Sequence, residues 1–286
     1  MKIGILVDSS TGYLENEHKY KNVRVIPLHL IVNDKDDYLD TPEDIKKNNL
    51  IKILGDGHKT STSQASPGEL MNKYEEMLKE FDHIIHMTIP YNLSGMHQTA
   101  VMISNDDDFK GKVTVIENCI AANCAQLLTI KFAQMAEDGI EDPKEYQKES
   151  DRWGKGSFTA IIPSDLQKMS KGGRASSLLI TMLKMMKTKV GIQWLDKPKK
   201  LGMGRTYGAV LDKMISALRK ELKEEFVLHF VTLPEAKKTH MDQIRKYLEN
   251  EKIDYVEAKI PNVYPWHAGI DTIGLIAVEK SLMPKK

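Results

Sequence analysis

The sequence predicts an α/β protein with two domains. The N-terminal domain is expected to form a parallel, Rossmann-like α/β/α sheet, and the C-terminal domain to mix strands and helices. The chain has 286 residues, a length that favours two domains or one large α/β unit. Short apolar segments alternate with longer amphipathic ones, which is typical of a parallel sheet with helices on both faces. Gly154-Lys155-Gly156 predicts the boundary, so that the domains comprise residues 1–155 and 156–286.

The composition excludes several classes of protein. Forty-one Lys and Arg residues against 40 Asp and Glu residues leave a net charge of +1, which gives no overall attraction to nucleic acid or an anionic membrane. No segment approaches the about 18 apolar residues of a membrane span, and the N-terminus does not resemble a signal peptide. Two cysteines are too few for a disulfide framework. We therefore expect a cytoplasmic protein without a metal or cofactor.

The first strand is predicted to deliver polar residues to one edge of the sheet. An apolar segment, residues 2–7, is followed by Asp8-Ser9-Ser10-Thr11-Gly12, and open α/β sheets bind ligands at the carboxyl ends of their strands. Residues 23–32 predict a second strand, in which Pro27 indicates an edge or a bulge. Thr41 and Pro42 predict the cap and the first residue of a helix that ends at residues 55–57.

The hydroxyl-rich stretch Thr60–Pro67 is the first candidate site. Five hydroxyl side chains occur in residues 60–66, ahead of a helix predicted over residues 68–81. Hydroxyl groups at a helix start cap its free N–H groups and, together with them, can bind an anion. A second candidate is Asn92-Leu93-Ser94-Gly95, between the strand 83–89 and a helix that ends near Ser104. The G-x-S-x-G motif is absent around Ser94, which favours an anion ligand or a cap over a nucleophile.

The rest of the chain continues the alternation and contains two further candidates. Lys171-Gly172-Gly173-Arg174 combines paired glycines with a forked cationic donor, which suits an anion-binding turn. His267 lies between Trp266 and Gly269 in a predicted turn, residues 264–269. The remaining predicted strands are 113–116, 157–163, 189–195, 200–203, 227–232, 253–258 and 273–279, and the remaining predicted helices are 119–137, 146–153, 165–169, an apolar segment at 178–186, 206–225 and 235–250.

Six short motifs follow one another through nearly the whole chain. They are Asp8-Ser9-Ser10, Val25-Ile26-Pro27-Leu28, Thr62-Ser63-Gln64-Ala65-Ser66-Pro67, Leu93-Ser94-Gly95, Lys171-Gly172-Gly173-Arg174 and His267-Ala268-Gly269. In this order they resemble the motifs of the DegV family of bacterial fatty acid-binding proteins. The resemblance implies a two-domain DegV-like fold that buries an acyl chain between or within its domains.

The resemblance also implies roles for particular residues. Thr62 and Ser94 would hold the carboxylate of a long-chain fatty acid, and Arg174 and His267 would lie near this head group. Ser63 and Gly95 would lie near it as well. The ligand would be the fatty acid itself, with no cofactor. The resemblance further implies a non-catalytic, fatty acid-binding subunit, whose separate ATP-dependent kinase subunit converts the carboxylate to an acyl phosphate.

The chain departs from the family pattern at several positions. Pro90 stands where the family usually has Ser, Met96 where it has Thr, and Ile270-Asp271 where it has Pro-Gly. Lys189-Val190-Gly191 replaces an I-K-P segment, and Ile116-Glu117-Asn118 replaces I-D-S. Because these changes alter the surface around the expected site, lipid binding tolerates them more easily than recognition of a particular kinase subunit does.

Two other functions remain open from the sequence alone. The protein would be an acyl-ester hydrolase if Ser94 were the nucleophile and His267 the base that accepts its proton. Lys171–Arg174 would serve a module that binds a small anion such as phosphate.

Overall fold

The computed structural model describes residues 1–17, 19–169, 188–194, 197–223 and 225–285. The predicted Lys171–Arg174 turn, including Arg174, and the apolar segment 178–186 lie outside the described residues. The strands are β1 (Ile3–Asp8), β2 (Val23–Ile26), β3 (His29–Val32), β4 (Asp36–Leu39), β5 (Thr60–Ser63), β6 (His83–Met87), β7 (Val113–Ile116), β8 (Ser157–Ile162), β9 (Lys189–Gln193), β10 (Lys199–Gly204), β11 (Phe226–Thr232), β12 (Tyr255–Lys259) and β13 (Ile273–Glu279). The α-helices are α1 (Pro42–Lys47), α2 (Leu50–Gly55), α3 (Pro67–Leu78), α4 (Met96–Ser104), α5 (Ala122–Glu137), α6 (Pro143–Lys155), α7 (Leu166–Met169), α8 (Tyr207–Glu221), α9 (Lys238–Asn250) and α10 (Val263–Ala268).

The N-terminal half contains the predicted parallel sheet. Its four strands run in the order β2-β1-β6-β7, and every neighbouring pair is parallel. Alternate side chains of β1 face opposite sides: Leu6 packs with residues of α3 and α4, whereas Ile5 and Val7 pack with residues of α5. Since successive residues of a strand point to opposite faces, helices cover both sides of this sheet, as predicted.

The prediction of one continuous strand over residues 23–32 is wrong. The strand is interrupted at Pro27, which has no N–H group to donate to a sheet. Residues before the break form β2 in the parallel sheet, and residues after it form β3 in a separate antiparallel sheet of order β4-β3-β5. Pro27 therefore marks the point at which the chain leaves one sheet for another.

The helix predicted from Pro42 is confirmed at its start and broken in its middle. The Thr41 hydroxyl accepts the N–H of Asp44, as expected of a cap. Asn49 then adopts a left-handed conformation with φ of 50°, which no helix continues through. Two short helices, α1 and α2, therefore replace one.

The C-terminal half forms a six-stranded mixed sheet of order β10-β9-β8-β13-β11-β12. The pair β11–β12 is parallel and the other pairs are antiparallel. Leu275 and Ala277 on β13 pack with residues of α8 and α9, whereas Ile276 and Val278 pack with residues of α5 from the N-terminal half. The two faces of this sheet are thus buried differently, one under its own helices and the other against the parallel-sheet unit.

The chain passes from one of these units to the other at Gly156, between α6 and β8. The domain division at residues 155 and 156 stays a prediction. Within the described part of the chain, none of the helices combines the length and the apolar character that crossing a bilayer requires.

Candidate functional site

A cavity lies where the six-stranded sheet faces the parallel-sheet unit. The empty space in the cavity and its opening is about 940 Å³, a volume that includes space open to solvent. Most of its wall is apolar, and the polar side chains include four of the predicted site residues, Thr62, Ser63, Ser94 and His267. The lining residues are Leu28, Thr62, Ser63, Gln64, Ile89, Leu93, Ser94, Ala121, Ala122, Thr159, Ile161, Met169, Trp194, Val231, Ile260, Val263, Tyr264, His267, Ala268, Gly274 and Ile276.

Strand β5 directs two threonines toward helix α10. The hydroxyl-rich stretch was expected to act as a helix cap, but Thr60–Ser63 pairs with β3 instead, with Thr62 opposite Leu30. Thr60 and Thr62 share one face because side chains alternate along a strand. The Thr60 hydroxyl donates to the Trp266 carbonyl at 2.7 Å, and a hydrogen bond of 2.7 Å joins Thr62 Oγ1 to His267 Nε2.

The capping role belongs to Ser66 alone. Its hydroxyl accepts the N–H of Glu69, and the Glu69 carboxylate in turn accepts the N–H of Ser66. This reciprocal capping box fixes the start of α3. The stretch Thr60–Pro67 thus divides its hydroxyl groups between a strand that faces the cavity and a helix cap beyond it.

His267 lies on a short helix where the sequence predicted a turn. Helix α10 ends against the loop after β8, since the Ala268 carbonyl accepts N–H groups from Ser164 and Asp165. Gly269 follows with φ of 94°, and a Cβ atom there would overlap the Ser164 hydroxyl. The first residue after the helix must therefore be glycine, and this close approach fixes the position of His267.

Ser94 lines the cavity just before α4. It is half-buried, and its hydroxyl accepts the N–H of Met96 at 3.2 Å. The expected cap-like role is therefore present, and the hydroxyl retains its own hydrogen for a ligand acceptor.

Gln64 connects the loop after β5 with α4. Its side-chain amide donates to the Thr99 hydroxyl at 2.7 Å. A Cβ atom on Gly95 would lie 3.0 Å from Gln64 Oε1. The absence of a side chain at Gly95 therefore lets the Gln64 side chain pack directly against it. This connection holds the Thr62 and Ser94 segments together. Gln64 belongs to the Thr62-Ser63-Gln64 motif, but the sequence alone does not predict its contact with Thr99.

The other predicted neighbours are placed less centrally. Ser63 is exposed, lines the cavity at its rim, and donates its hydroxyl hydrogen to the Gln64 carbonyl. Gly95 is exposed and acts through its contact with Gln64. Arg174 lies outside the described residues.

A buried carboxylate supports the cavity wall from behind. Asp8, at the end of β1, accepts the N–H of Ile89 at 2.5 Å and the hydroxyl and N–H hydrogens of Ser10. Burial raises the pKa of Asp8 to about 6, although these hydrogen bonds oppose the shift. Ile89 lines the cavity. The polar residues predicted after β1 therefore position a residue of the cavity wall, but they do not line the cavity themselves.

A second buried carboxylate anchors α10. Asp40 accepts a hydrogen bond of 2.9 Å from the Asn262 amide, one residue before α10 begins. Burial raises the pKa of Asp40, and the hydrogen bond from Asn262 opposes this. The helix that carries His267 is therefore tied to the N-terminal half at its start and to the loop after β8 at its end.

The geometry does not support the hydrolase alternative. His267 Nε2 is engaged by Thr62, and the Ser94 hydroxyl accepts from a helix start. A serine nucleophile needs a base that accepts its proton, whereas Nε2 of His267 is paired here with the Thr62 hydroxyl. An apolar cavity with hydroxyl and imidazole groups in its wall suits an amphiphile with a polar head.

Comparison with known proteins identifies the family. Residues 2–280 match the family model described as "Uncharacterised protein, DegV family". The chain is 24% identical over 288 residues to a DegV domain-containing protein of Mycoplasmopsis pulmonis, covering 99% of this chain and 98% of that protein. It is 23% identical over 281 residues to a fatty acid-binding protein of Thermotoga maritima, covering 96% of each chain.

Solved structures show the same fold. A DegV family protein of Thermus thermophilus, described for its fatty acid binding, superposes with a TM-score of 0.82 at 21% sequence identity. The match covers 98% of this chain and 100% of that one. Since the family model spans almost the whole chain and the architecture agrees, this protein belongs to the DegV family.

Proposed function

We propose that this protein binds a long-chain fatty acid in the cavity between its two units, with the carboxylate held by Thr62 and Ser94. The observation that carries the proposal is the polar group formed by Thr62 and His267, joined at 2.7 Å in the wall of a mostly apolar cavity. Family members that bind fatty acids, in Thermotoga maritima and Thermus thermophilus, add support.

The head group would be held mainly by neutral donors. A carboxylate offers about four lone-pair positions. The hydroxyl groups of Thr62 and Ser94 each supply one donor in this proposal, in which His267 carries its hydrogen on Nε2 and donates it to Thr62 Oγ1. His267 adds an imidazole beside Thr62 and sets the orientation of its hydroxyl. Ser63 and Gly95 lie near this head group in the proposal, and Arg174 retains the place that the family resemblance implies.

The tail would be held by the hydrophobic effect. Leucine, isoleucine, valine and methionine side chains supply much of the apolar wall, including Ile161, Met169 and Ile276. Each methylene removed from water contributes about 0.8 kcal/mol. A tail of a dozen or more methylenes therefore binds tightly even after the entropy costs of association are subtracted.

We further propose that the protein is not itself an enzyme but presents the carboxylate to a separate ATP-dependent kinase subunit, which forms the acyl phosphate. The family resemblance motivates this step, and the sequence contains no P-loop motif of its own. Mixing the protein, a fatty acid, ATP and a candidate kinase subunit tests it. Acyl phosphate that forms only when both proteins are present would support the pairing, and its formation by either protein alone would contradict it.

The lipid-binding proposal is tested by extraction. An organic extract of the purified, folded protein is expected to contain a long-chain fatty acid at close to one molecule per chain, measured by mass spectrometry against an unrelated protein purified in parallel. After removal of lipid, the protein is expected to take up palmitate. A folded protein that yields no acyl species and does not take up palmitate would contradict the proposal.

A further inference from the structure

One of the three tryptophans differs from the others in its hydrogen bonding. The indole N–H of Trp153 donates to Glu149 at 3.1 Å, and that of Trp266 donates to the Ile31 carbonyl at 3.4 Å. Trp194 Nε1 is buried and has no hydrogen-bond partner among the residues that the structure describes. A buried N–H group without a partner carries a free-energy penalty, so a partner supplied by a ligand would relieve it.

Trp194 lies in the wall of the cavity. It packs against two apolar groups, one containing Ile89 and Leu93 and the other containing Met169 and Ala268. Its backbone N–H donates to the Thr159 carbonyl at 2.9 Å, which fixes the residue just after β9. The indole therefore bridges the two halves of the molecule.

Each of the two apolar groups that Trp194 packs against includes a residue next to a predicted site residue. Leu93 directly precedes Ser94, and Ala268 directly follows His267. Several other buried side-chain polar atoms in the described ranges lack a partner, but among them only the indole nitrogen belongs to a residue lining this cavity. The unsatisfied donor is thus in the same cavity as the proposed carboxylate ligands.

We propose that the Trp194 indole N–H donates a hydrogen bond to the carboxylate of the bound fatty acid, as a third donor beside Thr62 and Ser94. This inference rests on the proposed function. An N–H group bonded to a carboxylate is charge-assisted and stronger than a neutral bond. The rigid indole would also cover the head group with apolar surface and limit its contact with water.

The test follows the indole N–H signals of the intact, lipid-free protein by ¹⁵N NMR, assigned through bond correlations. Palmitate is expected to move the Trp194 signal downfield, while those of Trp153 and Trp266, whose N–H groups already have partners, shift little. Trp194→Phe keeps an aromatic ring and removes the donor, so it is expected to weaken palmitate binding about tenfold.

The outcomes separate this inference from the proposed function. If the wild-type protein takes up no palmitate, the proposed function itself fails. If palmitate binds but the Trp194 signal stays in place, the inference is wrong, and this result does not depend on whether the variant folds. A downfield shift with 12-hydroxystearate but not with palmitate would also overturn it, because the indole would then meet an oxygen on the chain rather than the carboxylate.

Discussion

At the scale of single residues, the proposed site depends on hydroxyl groups that are oriented by their neighbours. Thr62 is held by His267, and Ser94 accepts from Met96. Both contacts leave a hydroxyl in the wall of the same cavity. Removing either group leaves the apolar wall unchanged, so its effect on binding reports the head-group contact.

Thr62→Val combined with Ser94→Ala is expected to weaken fatty acid binding by at least about 100-fold, because each hydrogen bond to a charged group contributes about 1.5–3 kcal/mol. Isothermal titration of the lipid-free protein with palmitate measures this. Ser61→Ala is the matched control, since Ser61 lies on the same strand with its side chain on the opposite face. Equal affinities for the double variant and the wild type would show that the carboxylate is held elsewhere.

Gly95→Ala is expected to weaken palmitate binding about threefold to tenfold with little loss of stability. The new methyl group would meet Gln64 Oε1 at 3.0 Å, and displacing Gln64 would loosen the connection between the Thr62 and Ser94 segments. Gly68→Ala is the control, because a Cβ atom there has no neighbour within 4 Å. If both variants bind like the wild type, Gln64 does not position the site.

At the scale of elements, most strands and helices follow from local patterns, and the exceptions involve distant partners. The strand prediction at residues 113–116 agrees with β7, and that at 273–279 agrees with β13. Strand β5 was missed because its four hydroxyl side chains resemble a cap, and only pairing with β3 makes it a strand. The contact between Thr62 and His267 could not be predicted from the local sequence either, since it depends on how α10 packs between the two units.

Gly269→Ala is expected to destabilise the protein by at least about 2 kcal/mol, because the residue combines a positive φ with a close approach to Ser164. Gly139→Ala is the matched control: φ there is 79°, and a Cβ atom has no neighbour within 4 Å. It is expected to cost about 1 kcal/mol, the backbone strain alone. Urea denaturation measures both, and equal losses would show that the contact at the end of α10 contributes nothing.

At the scale of the whole molecule, the cavity is formed by several elements packed together rather than by one element. Its wall combines β5, α10 and the segments before α4 and α5 with β8 and β13. The family resemblance implied a ligand between or within the domains. The motifs singled out Thr62, Ser94 and His267, which line the cavity, and their role in binding stays a proposal. Gln64 and Trp194 were not singled out, because their roles arise from contacts between segments that are far apart in the sequence.

The buried carboxylate behind the cavity makes stability depend on pH. Because the pKa of Asp8 is raised to about 6 in the folded protein from a usual value of 3.8, the folded state binds the proton more tightly. The stabilisation of the folded state by protonated Asp8 is fully present below about pH 4, and it is lost as the pH rises to about 6. The free energy of unfolding of the wild type, relative to Asp8→Asn, is therefore expected to fall across this range and level off above it.

Urea titrations of both proteins between pH 3.5 and 7, the span required by these two pKa values, measure this difference. His86, whose pKa burial lowers to about 3, has the opposite effect on stability. Since it is present in both proteins, its contribution cancels in the comparison. A difference that stays constant with pH would show that the pKa of Asp8 is not raised by folding.

The most direct test of the account is a crystal structure of the protein with palmitate bound. The account predicts an acyl chain in the cavity between the six-stranded sheet and the parallel-sheet unit, with carboxylate oxygens within about 3.0 Å of Thr62 Oγ1 and Ser94 Oγ. A carboxylate placed away from both hydroxyl groups, or an acyl chain bound outside this cavity, would contradict it.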